Sequence, residues 1–328
     1  KSAGRLESPK MRQFSYDLAF QKYVFERAGY EIASTKVVTP NPDYRRPNAK
    51  DVNLKDFFLI TDLSAEVDAL DLKLDIENAL EAMSKESKSL VPTNCTLNTT
   101  LCAEECKEQL PEFSIYKLLS RSIGKVHELE ALGIYDVHDI PPDFALTDKQ
   151  QIHYLACTQE NPIVDKDQIS AFLEEHIVYP LYFLDYESIN LAIPRYVGHK
   201  PFQQIVFQFS LHVQESPSAP LVHHEFLVLD VERDPCIQVA EALEEVVTLA
   251  PEGTFLVWHK SFEQGRNEEM AELSPRHAEM FSAMNRNLCD LKEVFSKNMY
   301  VDCGFKASAS IKKVLPVLCP DLSYKDLE

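Results

Sequence analysis

Residues 182 to 187 read Tyr-Phe-Leu-Asp-Tyr-Glu: three strand-forming residues, then two acids two positions apart. In an extended strand, positions i and i+2 point to the same face, so Asp185 and Glu187 converge on one side. Like charges so placed repel unless a cation lies between them. A pair of Mg²⁺ or Mn²⁺ ions meets that need in phosphodiester cleavage, one ion activating water and the other stabilising the leaving oxygen. Such a pair of acids also occurs on exposed strand ends without any catalytic role.

Residues 255 to 263, Phe-Leu-Val-Trp-His-Lys-Ser-Phe-Glu, repeat the arrangement: an apolar strand runs into a helix that carries Glu263 in its first turn. An acid there also answers the helix dipole, which is a purely structural reason for Glu263. Two strand-then-acid segments in succession point more firmly to a shared cation than either does alone. His259, Lys260 and Arg266 flank this second motif, and Lys312 lies in a polar, basic run with Ser308, Ser310 and Lys313. These are the candidate substrate contacts, Lys260 and Arg266 for phosphate, although a histidine at a strand end is often structural.

Residues 205–213 alternate apolar and polar, and 225–229 and 254–258 are rich in strand formers. Helical patterns cover 236–249 and 262–273, and Asp290 reads as part of the next helix. A β-β-β-α-β-α order predicts an α/β domain with a mixed sheet and flanking helices, the order of ribonuclease H-like folds.

Before this domain, residues 16–28 predict an amphipathic helix ended by Gly29, and 30–39 a strand stopped by Pro40-Asn41-Pro42. Residues 60–85 predict one long acidic helix with Leu63, Val67, Leu70 and Leu74 along a face. Two short helices joined near Gly124 occupy 114–140, and another covers 161–179 up to Pro180. Cys95, Cys102 and Cys106 are spaced closely enough to ligate zinc or an iron–sulfur cluster, or to be three free thiols in a loop. Cys157, or a residue upstream of Lys1, is the candidate fourth ligand.

A length of 328 residues favours two domains, and 45% hydrophobic with 26% charged residues is ordinary for a globular chain. No apolar run approaches the roughly 20 residues needed to cross a bilayer, so no membrane partner is expected. Eight cysteines without a secretory signal predict reduced thiols or metal ligands and a cytoplasmic location; the absence of an initial Met predicts that the chain starts mid-protein. The Asn94 and Asn98 sequons are set aside on the same ground. A net charge of −19 weighs against nucleic-acid binding, leaving a local strip of Lys36, Arg45, Arg46 and Lys50 as a basic candidate or a solvated loop. With only eight glycines there is no Gly-rich phosphate loop.

The phrases at 182–213, 257–273 and 304–328 resemble the bacterial domain-of-unknown-function family 2779, understood as a ribonuclease H-like exonuclease domain of the DnaQ (DEDD) type. The resemblance implies a metal-dependent nuclease of 3′–5′ exonuclease type, acting on DNA or RNA by two ions (Mg or Mn) held by Asp185, Glu187 and Glu263. The final Asp of that pattern, preceded by His or Tyr, has no match after Glu263, and the resemblance places it past Glu328. An incomplete site is therefore expected. The first 110 residues resemble the C-terminal half of a RecB-like PD-(D/E)XK nuclease, with Lys1-Ser2 as the tail of its E-x-K-S motif and Gln21 as its glutamine. That resemblance implies a [4Fe–4S] cluster at the three cysteines, with zinc as the alternative. The expected organisation is a partial RecB-like lobe at 1–110, a helical linker at 111–178 and a C-terminally truncated DnaQ-like domain at 179–328. The rival is a nucleic-acid-binding or scaffold module whose nuclease site has decayed.

Overall fold

Local sequence signals become packed elements in two units of the computed structural model, which describes residues 9–84, 110–120, 122–248 and 251–322. The units comprise residues 1–89 with 190–204, and 90–189 with 205–328.

In the first unit, helix α1 (Pro9–Arg27) is longer than the periodicity predicts and ends at Gly29, whose φ of +91° few other residues adopt at low cost. Only the end of the expected strand pairs: β1 (Lys36–Pro40) runs antiparallel to β2 (Phe58–Asp62), with Lys36 opposite Asp62. A short helix, α2 (Leu54–Phe57), leads into β2. The long helix expected over 60–85 is thus corrected to three pieces. Residues 58–62 are claimed by the strand partner, α3 (Ser64–Asp68) is one turn, and α4 (Lys73–Ser84) restarts where the Asp71 carboxylate accepts the Lys73 N–H. Leu63 and Val67 do share a face, packing on Ala19 of α1. In the basic strip, Arg46 donates to the carbonyls of Asn48, Ala49 and Pro194, and Lys36 pairs with Asp62, so both charges are engaged within the unit.

The second unit joins the expected linker to the sheet. Helices α5 (Ile115–Leu118), α6 (Ile123–Ala131) and α7 (Asp148–Thr158) enclose a core of Ile115, Leu119, Leu129, Ile140 and Tyr154. Thr147 and Gln150 form a reciprocal capping box at the start of α7, satisfying N–H groups that the helix itself leaves unpaired. Strand β3 (Ile163–Val164) precedes α8 (Lys166–His176), so the helix expected over 161–179 is shorter than read. A disulfide joins Cys157 of α7 to Cys303, 146 residues on, which corrects two expectations: Cys157 is no candidate thiolate ligand, and the described thiols are not all reduced.

The sheet has five strands in the order β6-β5-β4-β7-β8. These are β4 (Leu181–Asn190), β5 (Gln204–Gln214), β6 (Val222–Leu227), β7 (Thr254–Val257) and β8 (Leu288–Asp290). β5 and β6 are antiparallel, whereas β7 is parallel to both β4 and β8. Helix α9 (Pro235–Val246) links β6 to β7; α10 (Lys260–Leu273) and α11 (Ala278–Arg286) link β7 to β8. Beyond β8 come α12 (Lys292–Ser296), β9 (Tyr300–Val301), antiparallel to β3, and α13 (Ile311–Leu318). In β4, Tyr182, Leu184 and Tyr186 are buried while Phe183, Asp185 and Glu187 are exposed, the period of two that the sequence shows. Phe209, Phe255 and Phe281 are each at most 1% exposed, and burial of such a side chain contributes about 1.5–3 kcal/mol. Strand β8 corrects the sequence reading, since Asp290 ends a strand rather than lying in a helix.

Candidate functional site

Because β4, β7 and β8 run parallel, their C-terminal ends share one edge of the sheet, where ligands of open α/β sheets collect. Phe183 pairs with Leu256, and Val257 with Asp290. Asp185 and Glu187 therefore emerge from β4 just beyond its last pair with β7. Asp290 closes β8, and Glu263 lies in the first turn of α10, directly after β7. Four acids thus meet at the edge.

Their environments differ. Glu263 is only 4% exposed, and its Oε2 has no hydrogen-bond partner among the described residues. Burial above all, then the charges of Asp185 and Asp290, push its carboxyl up to about 7, against the pull of its own backbone N–H and Arg266. Partial burial and the neighbouring Glu187 also raise Asp185, opposed by the Tyr186 N–H. Asp290 is fixed by two backbone donors, Lys260 N–H at 3.1 Å to Oδ2 and Lys292 N–H at 3.0 Å to Oδ1. No three of these acids bring oxygens within 4.8 Å of one another. The arrangement is an open ring of negative charge. A buried carboxylate oxygen without a donor, in the field of Asp185 and Asp290, has the chemistry of a hard ligand for a divalent ion such as Mg²⁺ or Mn²⁺.

A buried polar chain supports the ring. The Tyr186 hydroxyl donates to Asn267 Oδ1 at 2.8 Å, and Asn267 Nδ2 donates to Asn285 Oδ1 at 2.8 Å. This ties β4 to α10 and α11, setting the strand that bears Asp185 and Glu187 against the helix that bears Glu263. Burial, then the charge of Glu263, holds the Tyr186 phenol well above its usual range, so it remains a neutral donor.

The other expected residues are placed as follows. Lys260 donates its ammonium to the Leu288 carbonyl at 2.8 Å, and Arg266 pairs with Glu269 at 2.9 Å while covering the Phe262 ring. Both charged ends are already engaged, Arg266 by a neighbour three residues on in its helix and Lys260 by a strand carbonyl that the sequence does not reveal. His259 is exposed at the N-cap of α10, with Nε2 3.3 Å from Ser261 Oγ, and Lys312 is exposed on α13. Gln21 is exposed on α1, donating to Asp17 at 3.1 Å. Lys1, Cys95, Cys102 and Cys106 lie outside the described residues, as do both sequons. Sequence reasoning missed Asp290 and Asn267. An Asp directly after an apolar Leu-Cys pair was the available signal for the first, and nothing local marks the second.

Residues 182–310, which contain all four acids, match the family model described as Domain of unknown function (DUF2779). Over 145 residues the chain is 30% identical to the uncharacterized protein UU173 of Ureaplasma parvum, and over 150 residues 33% identical to the uncharacterized MG366 homolog of Mycoplasma pneumoniae. Each match covers 42% of this chain and only 21% and 22% of those proteins. No solved structure matches. Among the described residues, no helix is long and apolar enough to cross a membrane.

Proposed function

We propose that the sheet unit is the core of a metal-dependent nuclease of 3′–5′ exonuclease type that hydrolyses nucleic-acid phosphodiesters. The observation that carries the reading is the meeting of Asp185, Glu187, Glu263 and Asp290 at the C-terminal edge of three parallel strands, with one buried carboxylate oxygen lacking a donor. The strand order supports it: the first sheet strand, β4, is central, its two successors lie on one side and the two parallel strands on the other, as a ribonuclease H-like sheet requires. When bound, divalent ions would supply an activated water and stabilise the leaving oxygen.

The chain's own residues then have distinct tasks. Asp185 and Glu187 hold the exposed side of the ion site, and Glu263 holds it from within. Asp290 is fixed by Lys260 and Lys292 N–H groups, so it sets the field at Glu263 and stays in place. A further acid and a general base come, in this reading, from outside the described residues. Single-stranded DNA and RNA labelled at one end, incubated with Mn²⁺ and the full-length protein, should shorten progressively. Asp185→Asn should slow this at least roughly a hundredfold, since losing an ion ligand removes about 3 kcal/mol of transition-state stabilisation. Equal rates in the two proteins would remove Asp185 from the mechanism. A scaffold with a decayed site is the second reading, favoured by the internal engagement of Lys260 and Arg266. It predicts salt-dependent binding of nucleic acid without cleavage in any divalent metal.

A further inference from the structure

A second feature of the sheet unit lies away from the acids. Between α5, the start of α7 and the segment after α12 is a cavity of about 370 Å³. Lys117, Lys149 and His153 line it, and none of its described lining residues carries a carboxylate. In a chain with 52 acidic against 33 basic residues, this lining carries no negative charge of its own, with Glu112 within electrostatic reach of Lys117. We propose that this cavity binds the phosphate group of a nucleotide.

Several donors face the same space. Asn298 lines the cavity, and its Nδ2 is buried with no acceptor among the described residues. A buried amide donor without an acceptor is unfavourable, and a bound anion relieves it. Lys149 is steered across the cavity by one bond to the Ser296 carbonyl at 3.1 Å, and an ammonium has three donors. Thr147, Lys149 and Gln150, at the start of α7, line the same cavity. Phe295 and Phe305 supply an apolar wall, and the volume is that of a small-molecule site.

The choice of a nucleotide over other phosphates rests on the nuclease reading. The geometry gives it a reason: Trp258 follows β7 at the acid-bearing edge, its ring stacks on Phe295 at 5.3 Å, and its indole N–H donates to Ala309, another residue of the cavity. Trp258 thus joins the cavity wall to the end of β7, the strand that leads into the helix bearing Glu263. Trp258 is also the single tryptophan of the chain, so its fluorescence reports on the cavity wall.

The test is a titration of the intact chain in chelator, followed by Trp258 emission. Three probes are used: uridine 5′-monophosphate, a short single-stranded oligonucleotide and inorganic phosphate. The monophosphate and the oligonucleotide should each give a saturable change, whichever source supplies the phosphate, with inorganic phosphate at least about tenfold weaker. The double substitution Lys117→Gln with Lys149→Gln, both at exposed positions, and separately Asn298→Asp should each weaken binding at least about tenfold. Thermal melts confirm that the variants fold. Affinities unchanged in both variants would overturn the proposal, and inorganic phosphate binding as tightly as the monophosphate would overturn its nucleotide part. Loss of the monophosphate signal in Asp185→Asn would locate it at the acids and overturn the cavity assignment. A protein that cuts nothing yet binds the monophosphate with these dependences supports the cavity while failing the nuclease reading.

Discussion

Replacing Glu263 by Gln keeps the shape of a side chain that is only 4% exposed and deletes the charge that its surroundings oppose. In the folded chain this carboxyl titrates at about 7, whereas its ordinary value is 4.5. Between those values the folded state holds a proton that the unfolded state has released. Stability therefore falls as pH rises from 4.5 through about 7, and the full penalty is present above that. The shift corresponds to a ceiling of about 3 kcal/mol, at roughly 1.4 kcal/mol per unit. Urea unfolding of the metal-free protein at about pH 5.5 and about pH 8, with and without Glu263→Gln, isolates this group from the other carboxylates. Because only the stretch from about pH 5.5 to about 7 is crossed, the wild-type protein should lose up to about 2 kcal/mol more than the variant on going to the higher pH. Added Mn²⁺ should stabilise the wild-type protein at high pH more than the variant, which keeps Asp185 and Glu187 but lacks the inner ligand, because an ion that binds the folded state stabilises it by mass action. Identical pH responses of the two proteins in chelator would refute the argument, since they would mean that Glu263 is charged in the fold at no cost.

Tyr186→Phe should cost about 1–3 kcal/mol in denaturant unfolding, because Asn267 Oδ1 is left buried without its donor; no measurable change would remove the buried chain as a support. Gly253→Ala should cost more than about 2 kcal/mol, since a Cβ there would lie 2.2 Å from the Pro180 carbonyl oxygen at a φ of +90°; a melting temperature equal to wild type would contradict that contact. Alkylation followed by peptide mass mapping should label Cys157 and Cys303 only after reduction, and reduction should lower stability by about 2–4 kcal/mol.

The central strand and two of its acids were legible because both signals are local. Alternation from Tyr182 to Glu187 states which face is buried, and the acids stand where that apolar run stops. Strand β8 was hidden for the opposite reason. Its three residues, Leu288 to Asp290, are too few to show a period, and only pairing with β7 makes them a strand. The error over 60–85 has a related origin: Leu63 and Val67 fit a helical face, but Phe58 to Asp62 are extended by their partner β1, a contact that helical periodicity does not encode. Lys260 looks free in sequence since its partner, the Leu288 carbonyl of β8, is 28 residues away, whereas the Arg266–Glu269 pair is an i,i+3 contact that a helical reading of 262–273 already permits. The pairing of Cys157 with Cys303 spans 146 residues and leaves no trace in spacing.

That pairing also changes how a chain of net charge −19 could meet a polyanion. If residues 111–178 were only a linker, the sheet edge would face nucleic acid with four acids and with Lys260 and Arg266 already engaged. The disulfide and the pairing of β3 with β9 instead fasten α5 and α7 to the segment that follows α12. Lys117 and Lys149 are thereby brought to the same cavity as Asn298 and Ser308. In the proposed arrangement, attraction for phosphate comes from two places: divalent ions at the acids, and lysines borne by the helical segment. Few phosphates are neutralised by protein cations in such a scheme, so binding should weaken with salt by a slope of only about 2, one unit for each lysine, and far less steeply than for a basic groove. A measured slope several times larger would place the nucleic acid on a different surface of the molecule.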